Sequence, residues 1–379
     1  MDYTESDFDA ASPDEVSEWH SIDWKAVQYF VGKEQSKIAQ AEQAKDFRRV
    51  KRLQRNLTRS WQAKALAVRK VTENQGKRTS GVDRELWDTP QKKWIAVSRL
   101  NLHGYRALPL KRVWIPKADG KERPLGIPTM RDRAMQALCL LAMEPAAECH
   151  ADPNSYGFRK GRSTHDARQQ LFVCLSKKVS AQWVLDADIT GFFDNINHDW
   201  LLANVRMNRR VLGQWLRCGV VDKQQLQKTE AGTPQGGIIS PLLANLTLDG
   251  LEAGLMRFLK DQLGFEKAKK AKVHLVRYAD DFVVTGDSKE VLETVVRPWV
   301  EAFLRERGLQ LHTGKTRIVH INEGFDFLGW NFRKYSETLL IKPSHKNVKA
   351  FYSKVREVIA GHLSQPKEVL IAKLNPILR

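Results

Sequence analysis

Val273-His274-Leu275-Val276-Arg277-Tyr278-Ala279-Asp280-Asp281-Phe282-Val283-Val284-Thr285 is the stretch that decides the fold of this chain. Apolar, β-branched runs on both sides of the two aspartates predict two hairpin strands with the carboxylates at the turn. Adjacent negative charges repel each other, so a fold that keeps them needs a compensating cation, for which a divalent metal ion is well suited. Taken alone, the dipeptide is more often a solvated turn, because aspartate favours turns for local reasons.

The charge balance points to a polyanionic partner. The chain has 379 residues, with 62 Lys and Arg against 44 Asp and Glu, which gives a net charge of +18 and a pI near 9.7. Such an excess is typical of proteins that bind nucleic acid or an anionic membrane. No apolar run approaches the roughly 18–20 residues that span a bilayer. The acidic start, Met1 to Glu5, is not a secretory signal. Nucleic acid is therefore the predicted partner, and no membrane is expected.

The cysteines indicate a reducing compartment. Cys139, Cys149, Cys174 and Cys218 are widely spaced and form no Cys-x-x-Cys pair. This pattern suits neither a zinc site nor a disulfide framework. We predict a cytoplasmic protein, bacterial by preference, with an organelle as the alternative. The sequence indicates no oligomeric state.

A basic helical region follows an acidic tail. Residues 1–18 lack periodicity and are predicted to be a flexible tail. From Trp24 to Val71 apolar residues recur at helical intervals, with many lysines and arginines between them. One reading is a solvated helix face. We favour phosphate contacts, because the excess of one sign is too large for pairing along a helix. The predicted RNA-binding residues are Arg48, Arg49, Arg52 and Arg55.

The rest of the chain predicts an α+β fold with a small sheet. The expected elements, in order, are a helix over 84–105, strands over 112–116 and 123–128, a buried helix over 130–149, a strand over 184–189, a helix over 201–218, a Gly/Pro loop over 232–240 that opens a helix over 241–258, an exposed basic loop over 267–272, a helix over 289–307, three short strands near Ile318, Phe327 and Leu340, and a last helical section from Asn347.

A second carboxylate follows another predicted strand. Asp188 ends the apolar run from Val184 and precedes a glycine and two aromatic residues. A capping role at a helix start is the local alternative. If the strand lies beside the Asp280-Asp281 hairpin, the three carboxylates could hold two metal ions roughly 3.5–4 Å apart, as phosphoryl transfer requires. Oxygen ligands favour Mg²⁺ over zinc. Alternation along the strand puts Asp186 on the same face as Asp188.

Six blocks in a fixed order carry a family resemblance. Tyr278-Ala279-Asp280-Asp281 together with Asp188 resembles the palm site of reverse transcriptases. The surrounding blocks resemble those of the group II intron type, from about Trp19 to the C-terminus; they are residues 115–128, Ser155 to Arg159, Gly232 to Pro241, Gly308 to Thr316 and Phe327 to Trp330. The last segment, Leu374 to Arg379, resembles the middle of the family's helical thumb.

The resemblance implies a right-hand polymerase. Its expected parts are a tail over 1–18, an N-terminal extension and the start of the fingers over 19–105, fingers over 106–182, a palm over 183–342 and a partial thumb, the maturase X domain, over 343–379. The implied catalytic residues are Asp188, Asp280 and Asp281. The implied ligands of two Mg²⁺ ions, with Mn²⁺ as the alternative ion, are Asp188, Ile189, Asp280 and Asp281. Asp280 is the firmer ligand, whereas Asp281 either binds metal or orients the site.

The same resemblance assigns the nucleotide site. Lys117 and Arg123 flank a hairpin turn, so both cations can reach one triphosphate. Gln235 and Gly236 are expected beside the incoming base and sugar, where glycine lets the backbone approach closely. Phe193 resembles the steric gate that excludes a ribose 2′-hydroxyl. Lys315 resembles a residue proposed to protonate the departing pyrophosphate, with a solvated lysine as the alternative.

The resemblance also predicts the primer-binding residues and the partners of the protein. Phe327, Leu328, Gly329 and Trp330 resemble the primer grip. The predicted function is an RNA-directed DNA polymerase that uses template RNA, a DNA or RNA primer and dNTPs, and that also binds intron RNA and assists its splicing. Two alternatives stay open. One is an RNA-binding maturase with secondary or no polymerase activity; the other is a domesticated relative in defence or CRISPR spacer acquisition.

Overall fold

The computed structural model describes residues 18–116, 120, 122–234 and 236–378. The chain forms two compact units, each assembled from three stretches of sequence. The first comprises residues 1–153, 189–254 and 300–311, and the second comprises 154–188, 255–299 and 312–379. The predicted tail lies almost wholly outside the described residues. In the described part of the chain no helix is both long and apolar enough to cross a membrane.

The first unit is mainly helical. The predicted helical region after Trp24 is confirmed as three helices, because Asp46 and Ser60 interrupt it and cap the next helix with their side chains. The buried helix from Met130 is confirmed and packs against them; Gln35 and Gln54 donate to its carbonyls. The helices are Trp24–Gln43, Phe47–Arg59, Trp61–Glu73, Pro90–Arg99, Met130–Glu148, Phe192–Asn195, His198–Asn204, Arg209–Arg217 and Ser240–Leu248, with a 3₁₀ turn at Gln75–Arg78.

A four-stranded sheet completes the first unit. The predicted hairpin is confirmed: β1 (Leu110–Pro116) pairs antiparallel with β2 (Glu122–Ile127). β4 (Val220–Asp222) runs parallel to β1, and β5 (Gln225–Gln227) pairs with β4, giving the order β2-β1-β4-β5. Residues 117–119 and 121, at the tip of the hairpin, lie outside the described residues.

The second unit contains the small antiparallel sheet that the sequence predicts. β3 (Trp183–Ala187) lies between β7 (Asp281–Gly286) and β8 (Arg317–His320), and β6 (His274–Tyr278) pairs with β7. All neighbours in the order β6-β7-β3-β8 are antiparallel. One face is apolar, with fully buried Val184, Val276 and Val283 in the core.

A second, three-stranded sheet shares this core. β9 (Phe325–Phe327), β10 (Trp330–Tyr335) and β11 (Thr338–Pro343) form a meander, and Phe325 stacks on Phe332 with 5.2 Å between ring centroids. The unit's helices are Thr164–Leu175, Phe265–Lys270, Lys289–Val291, His345–Ala360 and Lys367–Leu378, with a π-helical turn at Leu292–Val296. Two more helices, Leu251–Leu263 and Arg297–Arg305, contribute residues to both units.

Several predicted boundaries are wrong, and capping residues explain most of them. The helix expected over 84–105 is confined to Pro90–Arg99, since Thr89 caps it and proline fixes its first turn. The helix expected over 201–218 is two helices, His198–Asn204 and Arg209–Arg217. The second begins after Asn208, whose side chain caps its first turn. The helix expected over 241–258 breaks at Gly250, whose φ is +90°.

Two further expectations need correction. The basic run over 267–272, expected as a loop, is largely helical, in Phe265–Lys270. The last strands number four rather than three, since β10 and β11 form a hairpin where one strand near Leu340 was expected. The final helix begins at His345, close to the predicted Asn347.

Candidate active site

The strand register places Asp188 opposite Asp281. β3 and β7 pair antiparallel with Ala187 opposite Phe282, so the next residue of β3 faces the preceding residue of β7. Tyr278 pairs with Asp281, which leaves Ala279 and Asp280 as a two-residue turn. The turn requires a left-handed residue, and Ala279 supplies it with a φ of +59°. Carboxylates ninety residues apart in sequence therefore meet at one edge of the sheet.

Mutual repulsion marks this carboxylate cluster. Burial of the carboxyl group, followed by the neighbouring charges of Asp280, Asp188 and Asp186, together raise the pKa of Asp281 to about 6, and Lys315 opposes this rise. Asp281 as a whole residue is exposed to solvent, but its carboxyl group lies close to the carboxyl groups of Asp280, Asp188 and Asp186. Such a group gains most from a nearby cation.

Two cations of the same unit are paired with the cluster. Lys315 Nζ lies 2.7 Å from Asp188 Oδ2. Arg317 Nε donates to Asp186 Oδ2 at 3.1 Å, because β8 places Arg317 directly opposite Asp186. Burial raises the pKa of Asp186, and the Arg317 guanidinium opposes that rise. Asp186 thus shares a face with Asp188 but has a cationic partner of its own.

The loop that carries Lys315 is tied to Asp188. His312 N donates to the Asp188 carbonyl at 2.7 Å, and Thr316 Oγ1 lies 3.4 Å from the same oxygen. Lys315 N and Thr316 N both donate to the carbonyl of His312, closing a tight turn. The ammonium group is therefore delivered by backbone bonds rather than by a flexible surface segment.

The Asp280-Asp281 turn rests on the block that begins at Ser155. Tyr156 N donates to the Arg277 carbonyl at 2.9 Å, and Arg277 N donates to Asn154 at 2.9 Å. Arg277 is fully buried, and its Nη1 donates to the Ala279 carbonyl at 3.3 Å. A Cβ on Gly157 would lie 2.2 Å from Ala279 N. Only glycine fits there without moving the turn.

The donor set suits a hard divalent ion. Asp188, Asp280 and Asp281 offer carboxylate oxygens, and Ile189, whose side chain is buried, offers its backbone carbonyl. Over the described ranges, no three His, Cys, Asp or Glu side chains are already arranged as a metal cage. Part of the raised pKa of Asp281, after the effect of burial, comes from the charges of Asp280, Asp188 and Asp186, and a cation near these groups would offset that part.

Of the expected nucleotide residues that the structure describes, Lys315 lies in the second unit, and Arg123, Phe193 and Gly236 lie in the first. Phe193 is half-buried in the short helix Phe192–Asn195, and its carbonyl accepts from Thr233 N at 2.7 Å, so the predicted gate adjoins the Gly/Pro loop. Gly236 has a φ of +109°, and a Cβ there would lie 3.1 Å from the carbonyl oxygen of Gly126 on β2. Arg123 is exposed on β2. Lys117 and Gln235 lie outside the described residues.

The residues predicted as the primer grip join β9 to β10 in the second unit. Phe327 is buried, whereas Leu328 and Gly329 take left-handed φ values of +51° and +83°. The Asn347 side chain occupies the space beside Gly329, where a Cβ would lie 2.3 Å from its Nδ2. Trp330 is half-buried, with the Arg168 guanidinium 4.8 Å from its ring centroid.

The four predicted RNA-binding arginines lie on one helix of the first unit. Arg48, Arg49, Arg52 and Arg55 are all exposed on Phe47–Arg59. Val50 and Leu57 on the same helix are buried. The helix thus presents a basic surface to solvent while its apolar residues anchor it.

Sequence reasoning missed three residues that shape the site. Arg317 partners Asp186, Gly157 admits the Ala279 backbone, and Arg277 donates to the turn. Arg277 stood in the decisive stretch, and Gly157 stood in a quoted block. No local signal gave their roles, because each depends on pairing between distant segments.

Comparison with known proteins shows similarity to reverse transcriptases. Residues 115–332 match the family described as "Reverse transcriptase (RNA-dependent DNA polymerase)", and residues 19–100 match "N-terminal domain of reverse transcriptase". Protein YkfC of Escherichia coli is 33% identical over 326 residues, covering 74% of this chain and 82% of that protein. The group II intron-encoded protein LtrA of Lactococcus lactis is 29% identical over 329 residues, covering 71% of this chain and 54% of LtrA.

More distant similarities extend the comparison. Maturase-like protein 1 of Euglena gracilis is 24% identical over 378 residues, which cover 96% of this chain and 77% of that protein. Apo telomerase from Candida tropicalis aligns with a TM-score of 0.45 at 14% identity, over 62% of this chain and 55% of that one; this likeness is too weak to bear on the fold.

The chain belongs to the reverse transcriptase family. The predicted resemblance to the group II intron type is confirmed by LtrA and the maturase-like relatives. The family match and the small antiparallel sheet also confirm the predicted α+β polymerase fold class. Of LtrA itself, the chain spans about half the length.

Proposed function

We propose that this chain is an RNA-directed DNA polymerase of the group II intron type, which copies an RNA template by adding dNTPs to a primer 3′-hydroxyl. The observation that supports this most directly is the meeting of Asp188 and Asp281 across β3 and β7. Burial and then the neighbouring carboxylates raise the pKa of Asp281 to about 6, and such a perturbed carboxylate is typical of functional sites.

Reverse transcriptases use divalent metal ions. We propose two Mg²⁺ ions here, with Mn²⁺ as the alternative, held by the carboxylates of Asp188, Asp280 and Asp281 and by the carbonyl of Ile189. When bound, such ions lower the pKa of the attacking hydroxyl and neutralise charge on the leaving pyrophosphate. Asp280 is proposed as the firmer ligand, and Asp281 as the group that either binds or orients.

The chain's own groups would position the nucleotide and move a proton. Arg123, together with Lys117, is proposed to bind the triphosphate through charge-assisted hydrogen bonds. The backbone at Gly236, with the Gln235 amide, would border the base and sugar. Lys315, held 2.7 Å from Asp188, would bring an ammonium proton to the pyrophosphate oxygen as it leaves.

Phe193 would select the sugar. Its ring is proposed to collide with a ribose 2′-hydroxyl, which favours deoxynucleotides. Replacing it with alanine should raise the efficiency of rNTP incorporation relative to dNTP incorporation. The ratio of kcat/KM for one dNTP and its matching rNTP measures this, and an unchanged ratio would reject the gate.

Primer extension on an RNA template tests the main proposal. The purified chain should incorporate dNTPs with Mg²⁺, whereas Asp188→Ala and Asp280→Ala should lose incorporation but keep the primer–template affinity. Comparing Asp281→Asn with Asp280→Asn separates an orienting role from a liganding one. If wild type and Asp280→Ala were equally inactive, the polymerase proposal would fail.

A splicing role is the second proposed function. The exposed arginines at 48, 49, 52 and 55 support it, as do relatives named as intron-encoded and maturase-like. Reversing these four charges should weaken binding to the intron RNA and leave extension on a generic primer–template largely intact. A parallel loss of both activities would contradict this division of labour.

The setting of the protein follows from its relatives. Bacterial relatives support a cytoplasmic location in a bacterium, and relatives in Euglena keep an organelle as the alternative. Whether intron RNA flanks the reading frame separates the intron-mobility role from a domesticated defence role, because both use the same chemistry.

A further inference from the structure

We propose that a second nucleic-acid contact lies in the first unit, where four arginines line a groove that binds the phosphodiester backbone of a strand. The arginine groove is a cavity of about 930 Å³, and the charged residues on its wall are Arg106, Arg209, Arg210, Arg217 and Asp199. None of the residues proposed for metal, nucleotide, primer or intron RNA lines it.

The charge of the arginine groove is largely uncompensated. Arg217 pairs with Asp199 at 3.2 Å. Arg106, Arg209 and Arg210 are exposed and form no ion pair with any carboxylate in the part of the chain that the structure describes. Guanidinium groups bind phosphate oxygens through two parallel hydrogen bonds, so three such groups on one concave surface favour an anion.

The helix that carries two of these arginines gains nothing locally from them. Arg209 and Arg210 form the first turn of Arg209–Arg217, where the helix dipole disfavours positive charge. Asn208 Oδ1 already accepts from the backbone N–H groups of Arg210 and Val211. The cap is therefore complete, and a bound anion is what would offset the misplaced charges.

Gly213 gives an independent sign of close approach. A glycine inside a helix is destabilising relative to alanine, because it loses more backbone entropy on folding. A Cβ at Gly213 would meet only Leu202 Cδ2 at 3.7 Å, which is an ordinary contact. Packing within the protein thus does not require glycine here. Because Gly213 has no side chain, its backbone lines the arginine groove directly and leaves more space in it.

The shape favours a strand over a free anion. A second cavity, of about 530 Å³, shares Asp199, Arg217 and Cys218 with the first and adds one cation, Lys228, and one carboxylate, Glu230, to the wall. The two cavities therefore continue one another along the surface. A single phosphate or nucleotide would use one part of this length, whereas a polymer with regularly spaced phosphates would use all of it.

Salt dependence of binding tests the proposal. The full chain and the variant R106Q/R209Q/R210Q are titrated with fluorescent single-stranded RNA, RNA duplex and DNA duplex over a range of NaCl, without dNTPs or divalent metal. The slope of log K against log[salt] should become less negative in the variant, by about 2 for a single strand and roughly 2.7 for a duplex. The ligand that shows the change identifies the strand.

Two further variants keep the outcome decisive. K25Q/K33Q/R84Q removes the same charge from exposed positions outside the groove and should keep the wild-type slope. G213L changes no charge but fills the wall, so it should shift the slope in the same direction as the arginine variant. Melting curves confirm that each variant is folded.

Three results would overturn the proposal. These are equal slopes for the two triple variants, a wild-type slope for folded G213L, or displacement of the strand by inorganic phosphate at the same phosphate concentration. Because the titration needs neither metal nor dNTPs, it stands or falls independently of the polymerase proposal.

Discussion

Replacing Gly157 with alanine should disable the candidate active site without touching a carboxylate. The added Cβ would lie 2.2 Å from Ala279 N, 2.8 Å from Tyr278 C and 3.0 Å from Ala279 Cα. All three are backbone atoms of the turn that carries Asp280 and Asp281. No rotamer change can relieve the overlap, so the two segments must separate.

The size of the effect follows from these distances. Ordinary contacts begin at 3.4 Å, so the closest pair must move apart by more than 1 Å. Overpacking of this kind costs typically about 1–3 kcal/mol of stability. A misplacement of about 1 Å at a reacting centre lowers the rate roughly 100-fold. We therefore expect a folded, moderately destabilised protein with about one hundredth of the extension rate.

Single-turnover primer extension with saturating Mg²⁺ and primer–template measures this rate. Gly161→Ala is the matched control, four residues further on, since its φ of +70° brings backbone strain but no atom lies within 4 Å of its Cβ position. It should cost about 1–2 kcal/mol of stability and leave the rate near wild type. A Gly157→Ala enzyme that extends primers at the wild-type rate would refute the reasoning.

Three other predictions concern charge and backbone. Because folding raises the pKa of Asp281 to about 6, the stabilising contribution of this residue is present at low pH and is lost as pH rises through about 6. Urea melts of the metal-free wild type should show this loss of stability. The variant Asp281→Asn should no longer show the pH dependence. Lys315→Gln should change the free energy of unfolding by less than about 1 kcal/mol, since the lysine is exposed. The same variant should slow the chemical step roughly 100-fold or more and flatten the alkaline limb of the enzyme's pH–rate profile. Gly32→Ala should raise stability by roughly 0.5–1 kcal/mol in thermal melts, because the helix Trp24–Gln43 leaves its Cβ position open.

The carboxylate cluster was predictable because its signals are local. Apolar, β-branched runs predict β3, β6 and β7, and the two aspartates mark the turn between β6 and β7. The structure moves that turn by one residue, to Ala279 and Asp280. Antiparallel pairing of short strands then leaves few registers, and the one observed brings Asp188 to Asp281. The family resemblance rests on the same ordered blocks.

The errors arose where tertiary structure overrides local pattern. The run Lys267 to Lys272 has one sign of charge, which suggested a loop. The helix Phe265–Lys270 forms instead, and it ends where Ala271 N donates to the carbonyls of Lys267 and Lys269. The pairing of Asp186 with Arg317 depends on the register between β3 and β8, which lie more than a hundred residues apart. No window of sequence contains that register.

The electrostatics around Asp281 support the proposal that a bound metal ion completes the charge of the site. The chain carries a net charge of +18, yet burial and then three neighbouring carboxylates raise the pKa of Asp281. Each of three carboxylates raises the pKa of Asp281 more than Lys315 lowers it. Arg317 is engaged with Asp186 and Lys315 with Asp188, so each of these two cations is paired with a carboxylate other than Asp281. A fold that holds like charges together in this way loses stability unless a ligand offsets the loss, and a divalent ion supplies the most charge in the least space. The residues at the Asp280-Asp281 turn are therefore better explained by binding than by folding.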